Sequence, residues 1–115
     1  MGKPKIRMTP AFFHILLSLV RGQRHGYAIL GEIADRTRGR IKLGPSSLYW
    51  SLGRLEQAQL IEETAAPADE LESHDERRRY YRLTESGRAV LRSEIEVLAD
   101  ILSHADAQQI VGEAR

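Results

Sequence analysis

The chain has 115 residues, about the length of one small domain. Hydrophobic residues make up 42% of it and charged residues 29%, which are ordinary values for a globular protein. It contains no cysteine, which excludes disulfides, thiol catalysis and cysteine-based zinc sites and suits the reducing cytoplasm.

The net charge of +1 conceals an uneven distribution of charged residues. Residues 1–60 contain 10 Lys or Arg and 3 Asp or Glu, whereas residues 61–115 contain 7 and 13. The first half is therefore strongly basic and the second half acidic. A basic half can attract a polyanion such as DNA even when the whole chain is nearly neutral.

A buried first helix is predicted between Thr9 and Gly22. Thr9 is a typical N-cap, Pro10 suits the first helical position, and Gly22 is a typical stop. The basic residues before the apolar stretch 11–20 also resemble a signal peptide. Residues 21–24 offer no small-residue cleavage site, however, and the stretch is too short to span a bilayer, so no membrane association is expected.

A second helix is predicted at about 27–38, with Gly39 as its end. Three- and four-residue spacing predicts a core-facing stripe of Tyr27, Leu30, Ile33, Ala34 and Thr37. The alternation of Ile41 and Leu43 then indicates a short strand.

The third helix begins after Gly44-Pro45, and its leucines at 48, 52 and 55 form one core face. The opposite face does not resemble an inert surface, because it combines short side chains with an aromatic, a guanidinium and an amide. The alternative is an ordinary solvated face. The outer positions are Ser46, Ser47, Trp50, Gly53, Arg54 and Gln57.

Two strands, one beginning at Leu60-Ile61 and one at 79–83, flank an acidic loop and predict a β-hairpin, a candidate wing. Arg77 and Arg78 at the second strand are candidates for contact with DNA phosphates or an adjacent minor groove. The alternative is that they pair with the loop carboxylates.

A long fourth helix is predicted after Thr84. Its apolar residues follow a 4-3-4-3 spacing through Leu91, Ile95, Leu98, Leu102 and Ala105. One small domain has little left to cover so long a face, so a partner helix is the expected cover. The predicted dimerisation residues are Phe12, Leu91, Ile95, Leu98 and Leu102.

The fold class is therefore mainly α with a small β-hairpin: a winged helix-turn-helix at 1–84 and a C-terminal dimerisation helix and tail at 85–115. In that architecture the second helix of the pair reads base edges in the major groove. The expected function is a homodimeric, sequence-specific DNA-binding regulator. The alternative is a winged-helix protein-interaction module, which the acidic loop and Trp50 favour.

Neither catalysis nor a cofactor is expected. The histidines at 14, 25, 74 and 104 lack metal-ligand spacing, so no metal site is predicted. Glycine is missing two residues after either serine of the 44–48 segment, which excludes a nucleophile elbow.

The chain resembles the PadR family of transcription regulators from about residue 15 to residue 102. The matching segments are 25–27 (HGY) with Ile29, 43–49 (LGPSSLY), Leu52, 54–56 (RLE), 60–61 (LI), 78–84 (RRYYRLT) and Gly87. The resemblance implies a dimeric repressor bound to an inverted-repeat operator and often released by a small aromatic molecule. It implies DNA contacts from Ser46, Ser47, Tyr49 and Arg54, and a helix-pairing role for Tyr27.

Three positions depart from the family pattern. Gln59 stands where glycine is usual, so a left-handed backbone there would cost about 1 kcal/mol. Trp50 stands where a small or basic residue is usual. No aromatic residue follows Tyr81, so ligand stacking on the last helix is not expected, and Phe12 and Phe13 become the candidate aromatics for an effector at the subunit seam.

Overall fold

The computed structural model describes residues 6–66 and 79–113. In these residues five helices surround a small antiparallel sheet, as the predicted fold class requires. The elements are α1 (Pro10–Ser18), β1 (Arg24–His25), α2 (Gly26–Arg36), α3 (Pro45–Gln57), β2 (Ile61–Thr64), β3 (Tyr80–Leu83), α4 (Glu85–Ser103) and α5 (Ala105–Glu113). No helix of the described ranges is long and apolar enough to cross a membrane.

The first helix begins as predicted but ends early. The Thr9 hydroxyl accepts a hydrogen bond from the Phe12 amide at 3.1 Å, which caps α1. Beyond Ser18 the chain tightens into turns, with Leu19 N–H bonded to the Leu16 carbonyl. Gly22 therefore lies in the following turn and does not terminate the helix.

The sheet has three strands in the order β1-β3-β2, one more than the predicted hairpin. Ile61 pairs with Leu83 and Thr64 with Tyr80, which forms the base of the wing. The strand predicted at Ile41 and Leu43 is wrong, because the Ile41 amide donates to the Thr37 hydroxyl instead of a strand partner. The third strand is formed by residues 24–25, which pair with β3.

The core-facing stripe of α2 was predicted correctly at Ile33 and Thr37 but not at Tyr27. Tyr27 is 59% exposed, whereas Ile29, outside the predicted stripe, is completely buried. The cause is the close packing of Gly26, at which a Cβ would lie 3.0 Å from the Tyr49 hydroxyl. With Gly26 turned inward, Ile29, Ile33 and Thr37 follow on the same face and Tyr27 turns outward. The close contact between α2 and α3 is therefore made by Gly26, the neighbour of Tyr27, while Tyr27 itself is mostly exposed.

The predicted single C-terminal helix is two helices. His104 is extended (φ −69°, ψ 141°), which ends α4 at Ser103, and α5 begins at Ala105. The last member of the predicted 4-3-4-3 stripe therefore lies on a different helix from the other four.

The end of α3, the start of β2 and the start of α4 meet at one junction. The Thr84 hydroxyl donates to the Gln59 carbonyl at 2.6 Å, and the Thr84 amide donates to the Leu60 carbonyl at 3.1 Å. Gly87 lies so close that a Cβ there would be 1.9 Å from the Leu60 oxygen. Only glycine fits at this position.

Gln59 has a left-handed backbone (φ 61°), the conformation for which its departure from the family pattern predicts strain. The amide of Leu60 bonds to the Leu55 carbonyl and that of Gln59 to the Glu56 carbonyl. These bonds form a Schellman motif, in which glycine is the preferred residue at the position of Gln59.

Replacing Gln59 with glycine should raise the free energy of unfolding by about 0.5–1 kcal/mol, because glycine adopts positive φ without the Cβ clash. Urea denaturation measures this change. Gln57→Gly is the matched control, since Gln57 is the last α-helical residue and glycine should lower the stability there. A loss of stability in Gln59→Gly would contradict the argument.

Candidate nucleic-acid interface

The third helix presents one face to the core and the other to solvent, as predicted. Leu48, Leu52 and Leu55 are at most 1% exposed, while all six predicted outer residues are exposed. Gly44 caps the helix without a side-chain hydrogen bond, and Pro45 follows it. The N–H groups of the first turn therefore remain available to a ligand beside two short serine side chains.

Trp50 forms the most exposed aromatic surface on α3, with 64% of the residue accessible. Its ring stacks on Phe12 of α1 with centroids 6.2 Å apart, and the Arg54 guanidinium lies 5.8 Å from its centroid. Sequence reasoning missed the Phe12 contact, because the two residues are 38 positions apart and no periodicity connects them. The contact fixes the indole on the outer face.

The other predicted residues of α3 differ in accessibility. Tyr49 is 45% exposed, and its hydroxyl lies against Gly26 at the start of α2. Tyr49 therefore connects the two helices of the helix-turn-helix while keeping part of its ring accessible. Gln57 is exposed at the far end of the helix.

A polar network fixes α2 against α1. Arg36 lies 3.2 Å from His14 Nδ1 and donates to the Ser18 hydroxyl at 3.1 Å. Glu32 pairs with Arg36 at 3.6 Å and with Arg24 at 2.7 Å. Burial lowers the pKa of the His14 imidazole below 6.5, and the Arg36 charge lowers this pKa further. The neutral ring can accept a hydrogen bond from Arg36 through Nδ1.

The base of the wing is well defined. Arg82 of β3 and Glu62 of β2 form an exposed ion pair at 2.7 Å, and Tyr80 packs edge-on against His25 at 5.3 Å. His25 also caps α2 by accepting from the Ala28 amide. The predicted DNA contacts Arg77 and Arg78 lie outside the described residues.

The predicted dimerisation residues divide into two groups. Phe12 and Leu91 are 5% and 3% exposed, so both are enclosed in the core of the single chain. Ile95, Leu98 and Leu102 are 40%, 42% and 55% exposed on α4, and Val97 and Ile101 beside them are about half exposed. The accessible apolar surface therefore begins at Ile95, one turn after the predicted start.

The described residues contain no group of three or more side chains arranged to hold a metal ion. Residues 15–93 match the family of PadR-like transcriptional regulators. The chain belongs to this family. The match confirms the resemblance drawn from the sequence motifs and identifies a family of regulators rather than of enzymes.

Three proteins illustrate the relation to known PadR-like proteins. An uncharacterized protein from Lysinibacillus sphaericus is 31% identical over 87 residues, 76% of either chain. A PadR family transcription regulator from Clostridium difficile R20291 superimposes with a TM-score of 0.60 at 26% identity, covering 81% of this chain and 94% of that one. Bacillus subtilis PadR, solved in complex with operator DNA, superimposes with a TM-score of 0.62 at 23% identity, covering 77% of this chain and 48% of that one. This last likeness shows the winged-helix fold.

The burial of His14 and its contact with Arg36 predict a pH dependence of stability for this PadR-like protein. The pKa of His14 is lower in the folded chain than in the unfolded chain. As the pH falls below about 7, His14 is therefore protonated more readily in the unfolded chain, which favours unfolding. The contribution of His14 is therefore complete above pH 6.5 and is lost as the pH falls towards the lowered value. Urea unfolding at pH 7.5 and pH 5.5 should show this loss.

The variant His14→Asn places an amide oxygen near the position of Nδ1 and should lose part of the pH dependence. His104→Asn is the control, because His104 is exposed and belongs to the α4–α5 boundary. Equal pH dependence in His14→Asn and the wild type would show that burial and the Arg36 charge together do not lower the pKa of His14 enough to affect stability.

Proposed function

We propose that the protein is a homodimeric transcriptional repressor that inserts α3 into the major groove of an inverted-repeat operator. The observation that carries this proposal is the two-sided character of α3. Three leucines fix one side in the core, while two serines, Trp50 and Arg54 project from the other. Small residues at the helix start and long polar or aromatic ones further along suit a base-reading helix.

Each outer residue has a proposed role. Ser46 and Ser47 allow the helix start, with its free N–H groups, to approach phosphates and base edges closely. Arg54 and Gln57 supply donors for guanine or adenine, and Trp50 supplies an apolar surface for a thymine methyl group. Tyr49 contacts the DNA beside the start of α2.

Support also comes from the family, because the structural neighbour Bacillus subtilis PadR was solved in complex with operator DNA. The proposed site of action is the cytoplasm, where prokaryotic DNA lies. In this proposal the wing arginines Arg77 and Arg78 contribute attraction to phosphates that does not depend on sequence.

The C-terminal unit, residues 85–115, is the proposed dimerisation element for the DNA-binding unit at 1–84. Ile95, Leu98 and Leu102 lie along one face of α4 at four- and three-residue spacing, and each is at least 40% exposed. When a second copy covers an exposed apolar stripe of this kind, the apolar surface is removed from water and the dimer is stabilised.

A small planar aromatic effector is proposed to bind where α1 and α4 meet the partner subunit. Phe13 is the partly exposed aromatic residue of α1, whereas Phe12 is enclosed beneath Trp50. A groove of about 410 Å³ at the start of α4 contains no aromatic residue in its lining, so it offers no ring for stacking. Because Phe13 is partly exposed and Phe12 is enclosed, we assign ring stacking to Phe13.

DNA binding can be measured directly, because Trp50 is the only tryptophan of the chain and lies on the proposed reading face. Titration with an operator duplex selected from a random pool should change its fluorescence. Binding should weaken steeply between about 50 and 200 mM salt. Absence of any salt-dependent binding would favour the protein-interaction module instead.

Ser47→Leu should reduce the ratio of operator affinity to random-duplex affinity by at least about tenfold, because the larger side chain keeps the helix start away from the base edges. Binding to random duplex should largely persist, since phosphate attraction is unaffected. Ser47→Ala is the matched control and should keep the preference. An operator preference retained by Ser47→Leu would place the reading face elsewhere.

Leu98→Asp should convert the dimer to a monomer, because it places a charge in the apolar seam. Leu98 is 42% exposed in the protomer, so the monomer should still fold. Light scattering measures the assembly, and circular dichroism checks the folding. Ser93→Asp adds the same charge on another side of α4, about 140° around the helix axis from Leu98, and should remain dimeric. A dimeric Leu98→Asp variant would refute this seam.

A further inference from the structure

The segment between α2 and α3, residues 37–44, carries three cations at alternate positions. Arg38, Arg40 and Lys42 are all exposed. Among the described residues no carboxylate lies within 4 Å of any of them. We call this segment the interhelix loop.

Two other arginines, Arg24 of β1 and Arg36 of α2, behave differently from those of the interhelix loop. Arg24 and Arg36 both pair with Glu32, and both bond to Ser18. Their charges are partly neutralised and their side chains fix the helix packing. The three cations of the interhelix loop have no such structural partners, so their charges remain available to an anionic ligand.

The interhelix loop is held in one conformation by hydrogen bonds. The Thr37 hydroxyl donates to the Ile33 carbonyl at 2.8 Å and accepts from the Ile41 amide at 3.1 Å. The Gly39 amide bonds to the Ala34 carbonyl at 2.8 Å. A loop ordered in advance loses less conformational entropy when it binds a ligand.

The cations themselves are positioned by this conformation. Arg40 Nε donates to the Thr37 carbonyl at 3.2 Å, which leaves both terminal nitrogens of its guanidinium for other acceptors. Arg38 occupies the left-handed position that ends α2 (φ 54°), where glycine is preferred. The chain therefore carries a charged residue at a position where glycine would make the folded protein more stable.

The location of the interhelix loop indicates its ligand. Lys42 is two residues before Gly44, the N-cap of α3. With consecutive Cα atoms 3.8 Å apart, the Cα of Lys42 lies within about 8 Å of the start of this helix. The start of a recognition helix is the end that approaches the bases, so the DNA backbone passes beside it.

We propose that the interhelix loop is a second DNA-binding site, at which Arg38, Arg40 and Lys42 bind backbone phosphates next to the bases read by α3. This proposal rests on the proposed DNA-binding function. The site supplies affinity that is independent of sequence, because phosphates carry no sequence information. It is separate from the wing arginines, since it belongs to the helix-turn-helix itself.

The first test removes all three charges in Arg38→Gln/Arg40→Gln/Lys42→Gln. Fluorescence anisotropy of a labelled random duplex, measured between about 50 and 200 mM salt, gives the slope of log K against log[salt]. The slope is negative, and it should become shallower by about 2 to 3 for each bound protomer, because each lost phosphate contact removes about 0.9 from its magnitude. Arg92→Gln, which removes an exposed cation from α4, should keep the wild-type slope.

The second test uses Arg38→Gly, which should raise the melting temperature and yet weaken DNA binding. Glycine relieves the positive φ while the charge is lost, so a general loss of folding cannot explain weaker binding. The slope should fall by about 1 for each protomer. Gln59→Gly is the matched control, because it relieves the same kind of strain without changing the charge.

The outcomes distinguish the two proposals. Suppose that duplex binding by the wild type weakens steeply with salt and that the triple variant has the same slope. This result would overturn the proposed phosphate site at the interhelix loop and leave the DNA-binding function intact. A wild type without salt-dependent binding would overturn both. A reduced slope in the triple variant that returns in Arg38→Lys/Arg40→Lys, which keeps all three charges, supports the site.

Discussion

The contact between the end of α3 and the start of α4 fixes the two helices that carry the proposed DNA-binding and dimerisation surfaces. Thr84 binds the carbonyls of Gln59 and Leu60, and Gly87 leaves room for only hydrogen atoms against the Leu60 oxygen. The helix that carries the proposed reading face, α3, precedes this junction in the chain, and α4, which carries the apolar stripe, follows it. In the proposed dimer, the orientation of each reading helix therefore depends on two hydrogen bonds of Thr84 and on one glycine.

The distribution of arginines follows the division between packing and binding. Arg24 and Arg36 are fixed by Glu32 and Ser18 and hold α1, α2 and β1 together. The cations of the interhelix loop have no comparable partner among the described residues. Overall charge alone cannot distinguish these two uses of arginine, because both contribute equally to the basic character of residues 1–60. Local contacts make the distinction.

Most of α3 could be predicted because its signals are local. The Gly44-Pro45 start, the leucines at 48, 52 and 55 and the helical period of 3.6 residues together specify which side faces outward. A single departure from the family pattern likewise indicated strain at Gln59 if its backbone were left-handed, and the backbone there is left-handed. Local backbone geometry and periodicity suffice here, because every interaction concerned lies within a few residues.

Other features depended on contacts between distant residues. The face of α2 is decided by the packing of Gly26 against Tyr49, the third strand by pairing of Arg24 with Tyr81, and the position of Trp50 by stacking on Phe12. The sequence by itself determined the order of α1 to α4 with the two hairpin strands, the outer face of α3 and the family. Only the tertiary structure decided which side chains are enclosed and which charges stay unpaired, because burial and pairing depend on what the folded chain brings together.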